Sequence, residues 1–199
     1  KIALYCTHSD ESYEPTDGTA SDEKGEGGIY DVSEALKEAL EARGVRVILD
    51  ETPHVPHDSS AYKRSRQTAI ALLKKGPDAL LDIHRDGIET AEGVRLAPVA
   101  EIDGREAAQI MIISGCDDGT MDMPNYMDNF RFACELQSET ETLFSGLTRP
   151  ILFDYRFYNQ DLTSGSLLIE VGSHGNTLEQ AKYSGELIGK ALAELFTDE

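Results

Sequence analysis

Four short apolar runs punctuate the chain: Ile2-Ala3-Leu4-Tyr5-Cys6, Val45-Arg46-Val47-Ile48-Leu49, Ala79-Leu80-Leu81-Asp82-Ile83 and Leu167-Leu168-Ile169-Glu170-Val171. The first, third and fourth read as short buried strands and the second as a further strand. Helical spacing fills the intervals between the first three. Val32, Leu36, Ala39 and Leu40 recur with that period and Gly44 supplies the stop. Ser59 or Ser60 is placed to cap a helix running to about Lys75, closed by Gly76-Pro77. The resulting strand–helix–strand–helix–strand order calls for right-handed crossovers and a mostly parallel sheet.

The middle of the chain changes style. Val94 to Ile102 and Ala107 to Ile113 flank Asp103-Gly104, a pair that favours a two-residue hairpin turn. A helix is expected from Pro124 to about Phe144, with the proline in its first turn. Asn176 or Thr177 caps a last helix whose buried stripe is Leu178, Ala181, Leu187, Ile188, Ala191, Leu192 and Leu195. The expected fold is α/β: one domain over residues 1–199, with a mixed, mostly parallel sheet flanked by helices on both faces. Residues 9–28, polar and rich in Gly, Asp and Glu, read as a mobile acidic loop.

Charge then excludes whole classes of partner. Thirty-seven acidic residues against eighteen basic ones give a formal charge of −19. A nucleic-acid groove needs clustered Lys and Arg, so no nucleic-acid partner is expected, and anionic lipid is disfavoured in the same way. No run approaches the ~18 apolar residues of a membrane span. The first residue is Lys1 rather than Met, which reads as an excised domain with any targeting segment elsewhere. Cys6, Cys116 and Cys134 allow at most one disulfide, and Cys6 reads as a small buried hydrophobe.

Ligands of open α/β sheets bind beyond the carboxyl ends of the strands. The residues leaving three of these strands share one chemistry. The first run delivers Thr7-His8-Ser9-Asp10-Glu11, the third delivers His84-Arg85-Asp86, and the late run carries Glu170 within its apolar stretch. His8 and Glu11 form an H-x-x-E pair that a turn can bring to one point. With His84 the set is two imidazoles and one carboxylate, a shell that suits catalytic zinc better than the oxygen-seeking magnesium or calcium. Glu170 is costly to bury unpaired. It is either a salt-bridge partner, to Arg85 or Arg149, or a general base for water at the metal. Together the four residues suit a zinc hydrolase of an amide bond.

These segments carry a resemblance. Thr7-His8-Ser9-Asp10-Glu11-Ser12-Tyr13, Tyr62-Lys63-Arg64-Ser65-Arg66, Asp82-Ile83-His84-Arg85-Asp86, Ser145-Gly146-Leu147-Thr148-Arg149, Tyr158-Asn159-Gln160-Asp161-Leu162 and Leu168-Ile169-Glu170-Val171-Gly172 with Asn176-Thr177 resemble, in order, motifs of the stage II sporulation protein P family. The resemblance implies a zinc-dependent N-acetylmuramoyl-L-alanine amidase fold and activity on peptidoglycan, with endopeptidase cleavage of cross-links also associated with the family. It further implies action outside the cytoplasm, in septal wall thinning during engulfment. Tethering by a membrane segment outside these residues and a lytic transglycosylase partner are implied as well. Residue by residue, His8 and His84 match the family's zinc ligands and Glu170 its catalytic glutamate. Glu11 is the preferred third ligand, although in the wider amidases the ligand glutamate sits further along, where Glu23, Glu26 or Glu34 stand here.

Around that centre, Arg85 is expected to stabilise the oxyanion or clamp a stem-peptide carboxylate. Asp82 or Asp86 can instead use Arg85, or orient His84 through its second ring nitrogen. Asn159 and Gln160, with Asp161, either line the substrate groove or hold a turn together. His54, His57 and His174 are additional histidines, with His174 read as a surface-loop residue. Because peptidoglycan also carries carboxylates, substrate binding is expected to fall to local cations, Arg85 with Arg64, Arg66 and Arg149, against the global sign.

Overall fold

The computed structural model describes residues 1–197. Its elements in chain order are β1 (Ile2–Tyr5), α1 (Glu14–Asp17), α2 (Ile29–Glu41), β2 (Val47–Leu49), α3 (Ala61–Leu73), β3 (Ala79–Asp86), β4 (Val99–Ile102), β5 (Arg105–Ala108), β6 (Ile110–Gly115), α4 (Tyr126–Leu143), β7 (Leu152–Asp154), β8 (Ser166–Ser173) and α5 (Leu178–Thr197). Six strands make the main sheet in the order β2-β1-β3-β8-β6-β7. β2, β1, β3 and β8 run parallel; β6 lies antiparallel to β8 and parallel to β7. The expected α/β class with a mixed, mostly parallel sheet is the fold observed.

Strand alternation divides the apolar residues between two faces. Ile2, Leu4, Cys6, Leu81, Ile83, Leu167, Ile169 and Val171 join the larger core with the buried stripes of α2, α4 and α5. Ala3, Tyr5 and Leu80 meet Ala69 and Leu72 of α3 in a smaller core. Each fully buried Leu or Ile contributes roughly 1.5–3 kcal/mol relative to exposure, so the larger core dominates stability. On the face of the smaller core, further along the strands, stand Asp82, His84 and Glu170, with Tyr62 of α3 lying over His84.

Two helices approach unusually closely. A Cβ added at Gly185 of α5 would stand 2.7 Å from the Val32 carbonyl oxygen, and one at Gly189 2.8 Å from that of Leu36. The glycines therefore let α5 lie against α2 backbone to backbone. At the start of α5, Thr177 Oγ1 accepts from Gln180 N and Gln180 Oε1 accepts from Thr177 N. This reciprocal capping box makes Thr177 the cap. Asn176 instead accepts from Ser173 N and donates to the Pro98 carbonyl.

Several boundaries differ from expectation. Ser60 occupies the cap position of α3 without a side-chain bond; Asp58 accepts from Ser60 N instead, and its carbonyl accepts from Ala61 N. Pro124 lies ahead of α4, whose cap is Asn125, because the Asp117 carboxylate gathers the amides of Gly119, Met121 and Met123 into a turn first. The hairpin turns at Asp103 and Gly104, both left-handed at φ 51 and 75, as a two-residue type I′ turn requires. Its second arm ends at Ala108, not Ile113: β6 leaves the hairpin and pairs with β8, where Ile110 and Ile112 reach the larger core. The short edge strand β7 and the one-turn α1 had no sequence counterpart. The 9–28 segment is more structured than its composition suggests. It contains α1, a bridge between Glu11 and Ser21, and a buried stretch from Ser9 to Tyr13.

Candidate metal centre

The centre is assembled where β1 and β3 end. After β1, the chain turns so that Glu11 N donates to the His8 carbonyl, putting both side chains on one side. Three further contacts hold Glu11. Its carbonyl accepts from Ile29 N, its Oε2 accepts from Arg85 N at 2.9 Å, and Gly27 packs against its backbone. A Cβ at Gly27 would stand 2.2 Å from the Glu11 carbonyl oxygen, so only glycine permits this approach. His84 comes from β3 and is buried.

Glu11 lies between the two imidazoles. Its Oε1 is 3.4 Å from His8 Nδ1 and its Oε2 is 3.5 Å from His84 Nδ1. Two donors of a tetrahedral zinc, each about 2.0–2.1 Å from the ion, stand about 3.3 Å apart, close to these spacings. One ligand atom from each of His8, Glu11 and His84 can be chosen so that all lie within 4.8 Å of one another. Among the described residues no other such group of His, Cys, Asp and Glu occurs. Glu23 and Glu26 are exposed and Glu34 pairs with Lys37, so none of the three later glutamates joins the trio. The donor set, two nitrogens and one carboxylate, fits zinc.

Charge around the trio favours the carboxylate at Glu11 and a proton on His84, and a metal ion would have to displace that proton. Burial raises the Glu11 carboxyl, but His84, His8 and Arg85 outweigh it and hold the group well below the usual range. Burial depresses His84, but Asp82 and Glu11 outweigh that and raise it well above its usual value. Asp82 Oδ1 lies 2.9 Å from His84 Nε2, although out of line for a hydrogen bond. Thr7 fixes that carboxylate, its N bonding Oδ1 at 2.8 Å and its hydroxyl bonding Oδ2 at 2.6 Å. Asp82, rather than Asp86, is thus set to orient the His84 ring.

Glu170 sits directly across from His84 in the parallel β3–β8 register. It is partly exposed as a residue, while its Oε2 is sealed and has no hydrogen-bond partner. No ion pair to Glu170 forms among the described residues; Arg149 binds Asp86 at 2.9 Å instead. Burial pushes the Glu170 carboxyl up to about 8, with Glu11 and Asp86 adding to that and His84 and Arg149 opposing it. Glu170 is thus a carboxyl group with one oxygen unpartnered beside a candidate metal-ligand set.

Three residues expected to contact substrate are engaged with the protein itself. Arg85 directs Nε to the Ser12 carbonyl at 3.2 Å and Nη2 to the Ala20 carbonyl, so its guanidinium ties down the 9–28 segment. Asn159 and Gln160 are buried and face inward. Asn159 Nδ2 donates to the Tyr62 carbonyl and to Ser65 Oγ. Gln160 Oε1 accepts from Gly115 N, and its Nε2 donates to the Ile113 carbonyl. Both residues hold a turn, because each side-chain dipole is matched by a backbone or hydroxyl group of the protein. Of the extra histidines, His54 is buried between the Cys6 carbonyl and Thr68. His174 is also buried rather than on a surface loop, with Nε2 3.3 Å from Glu89. His57 stacks on His8 at 3.8 Å between ring centroids, and its Nδ1 lies 3.1 Å from Asp10. Tyr62 and Tyr158 complete the wall beside His8 and His84. Periodicity gives no hint of these rings, since the contacts cross from one element to another.

With the geometry in hand, the family model described as "Stage II sporulation protein P" matches residues 1–194. Stage II sporulation protein P of Bacillus subtilis (strain 168) is 25% identical over 215 residues, covering 99% of this chain and 51% of that protein. The chain thus spans about half the length of this curated relative. Among solved structures, the CwlD amidase from Clostridioides difficile, in complex with the GerS lipoprotein, superposes with a TM-score of 0.63 at 13% identity, covering 100% of both chains. The N-acetylmuramyl-L-alanine amidase Ami1 from Mycobacterium smegmatis gives 0.60 at 14%, covering 100% and 97%. The N-acetylmuramoyl-L-alanine amidase AmiC2 of Nostoc punctiforme gives 0.58 at 13%, covering 98% and 94%. At these identities the structures share the fold.

Proposed function

The chain belongs to the stage II sporulation protein P family, and from that premise we propose that it is a zinc-dependent peptidoglycan hydrolase. In this reading it cleaves the amide between N-acetylmuramic acid and L-alanine of the stem peptide, outside the cytoplasm, in the septal wall of a sporulating cell. The observation that carries the reading is the in-register pairing of Glu170 with His84 beside the His8–Glu11–His84 trio. The fold shared with solved muramoyl amidases supports the choice of bond.

His8, Glu11 and His84 would hold the zinc, which supplies Lewis-acid polarisation and acidifies water when bound. The chain's own residues do the rest. Asp82 fixes the His84 ring from behind, and Arg85 N fixes Glu11. Glu170 takes a proton from the attacking water and returns it to the amine nitrogen as the carbon–nitrogen bond breaks. The products are a free lactyl carboxyl on the muramic acid and a stem peptide with a free amino terminus. A membrane tether and a lytic transglycosylase partner belong to the same reading as proposals; no helix among the described residues is long and apolar enough to cross a membrane.

Mass analysis of peptidoglycan digested by the zinc-loaded protein tests this. Free lactyl groups with intact stem peptides are the expected products. Peptides split internally, with muramoyl amides intact, would replace the amidase by an endopeptidase. In Glu170→Ala, zinc should be retained while cleavage collapses.

A further inference from the structure

Hydrolysis of an amide builds negative charge on the carbonyl oxygen, and a preorganised donor is needed there. Arg85, the obvious candidate in sequence, is turned away to the Ser12 and Ala20 carbonyls. We propose that Tyr62 is a further catalytic residue, donating its phenolic hydrogen bond to that oxygen, and that Tyr158 is the positioning residue that holds it. The proposal rests on the amide-hydrolase reading above.

Tyr62 lies in the first turn of α3, where the helix meets the metal centre. Its ring stands edge-on to His8 at 5.5 Å and nearly parallel to His84 at 6.2 Å, with 7° between the planes. It therefore flanks both imidazoles of the trio. Tyr62 is half-buried, a setting in which a hydrogen bond to charge outweighs its value in water. The other nearby donor, His57, is turned to Asp10 through Nδ1, and its side chain is 45% exposed.

The turn carrying Tyr158 is built at a cost. Tyr158 and Asn159 are successive non-glycine residues at φ 42 and 56, closed by Gln160 N donating to the Phe157 carbonyl. The left-handed region is uncommon for a residue such as Tyr158 and easier for Asn159, and such strain concentrates at functional sites. The buried bonds of Asn159 and Gln160 hold the turn in place. One consequence is that the Tyr158 ring stacks on Tyr62 at 4.8 Å. The other is that Asn159 bonds the Tyr62 carbonyl at 3.2 Å, so a single turn fixes both the ring and the backbone of Tyr62.

In the step itself, the water oxygen bonds to the carbonyl carbon and the carbonyl π pair moves to oxygen. Tyr62 keeps its proton and donates the hydrogen bond. When the pair returns, the carbon–nitrogen bond breaks and nitrogen leaves with the proton held by Glu170.

The test uses zinc-loaded protein, a muramoyl-peptide substrate and a phosphinate isostere of the tetrahedral state. Tyr62→Phe should lower kcat by about 10²–10³-fold, leave KM within about twofold and leave zinc stoichiometry unchanged. Its affinity for the phosphinate should fall about tenfold or more, as expected for loss of a hydrogen bond to a charged acceptor. Tyr158→Phe should behave as wild type. Tyr158→Ala should lower kcat and phosphinate affinity at unchanged zinc content, toward the effect of Tyr62→Phe. A Tyr62→Phe protein with kcat and phosphinate affinity within about twofold of wild type overturns the proposal, as does a change in KM alone. Phosphinate affinity needs no turnover. A wild type that binds the phosphinate but leaves muramoyl amides intact would remove the proposed substrate, while the Tyr62 comparison would still decide this inference.

Discussion

At the residue scale, the proposed function separates groups that would hold a metal from groups that would act beside it. His84→Ala removes a buried nitrogen ligand and should abolish stoichiometric zinc, read by native mass spectrometry. Asp82→Asn removes the carboxylate behind the ring and should weaken zinc binding about 10–100-fold without abolishing it. Glu170→Gln keeps the shape of the side chain and makes no change among the three ligands. It should retain zinc and lose about 10²–10⁴-fold in kcat, the range for a positioned proton-transfer group. A Glu170→Gln protein that loses zinc would instead make Glu170 a ligand. His8, Glu11, His84 and Glu170 could be proposed from sequence because each follows or interrupts a strand run. Arg85, Asn159 and Gln160 were legible only as polar residues near the site. Where their donors point depends on carbonyls contributed by other segments.

At the element scale, the turns that carry the centre depend on single residues. Gly27→Ala would drive a methyl group into the Glu11 carbonyl. The expected result is a displaced Glu11 and weakened zinc binding, with the far side of the sheet unaffected. Gly189→Ala acts elsewhere, forcing α5 away from α2. It should destabilise the fold by about 1–3 kcal/mol, the usual cost of overpacking, measured by denaturant unfolding, with zinc stoichiometry unchanged. Ahead of α4, Asp117 has its carboxyl held below the usual range by the amides of Met123 and Met121. Its folded value is depressed, so its contribution to stability is present above the ordinary carboxylate pKa and is lost as pH falls through the folded value. The melting-temperature gap between wild type and Asp117→Asn should therefore narrow on acidification from neutral pH; a constant gap would count against it. These dependencies were not legible in sequence. Gly27 lies in a glycine-rich acidic stretch, and nothing local says that it faces Glu11. By contrast Asn176-Thr177 announces the start of α5 in sequence, while the bonds to Gln180 single out Thr177 as the cap.

At the scale of the whole molecule, the charge of −19 frames how the arginines near the site are used. Arg64 binds the His54 and Pro56 carbonyls and Asp58, Arg66 holds Asp161 through two bonds, and Arg149 pairs with Asp86. With Arg85 also engaged, the four cations expected to bind substrate all have protein partners. Under the proposed function, association with a wall that carries carboxylates would be opposed by long-range repulsion, which salt screens over about 10 Å at 0.1 M. Binding of Glu170→Gln protein to purified peptidoglycan should strengthen as salt is added over the range below 0.1 M. Binding that weakens steeply with salt would reveal a cationic contact surface.

The sequence by itself determined the α/β class, the parallel strand core and the last helix, and it made His8, His84 and Glu170, with one of several glutamates, candidates for a single centre. Those features follow from local periodicity and from polar residues at the ends of apolar runs. Tertiary structure decided that Glu170 faces His84, that Glu11 and not a later glutamate completes the trio, and that two tyrosines wall the site. It also turned Arg85, Asn159 and Gln160 inward. Register between strands distant in sequence, and the backbone groups they leave unpaired, set which way a polar side chain points; both are products of packing, not of local spacing.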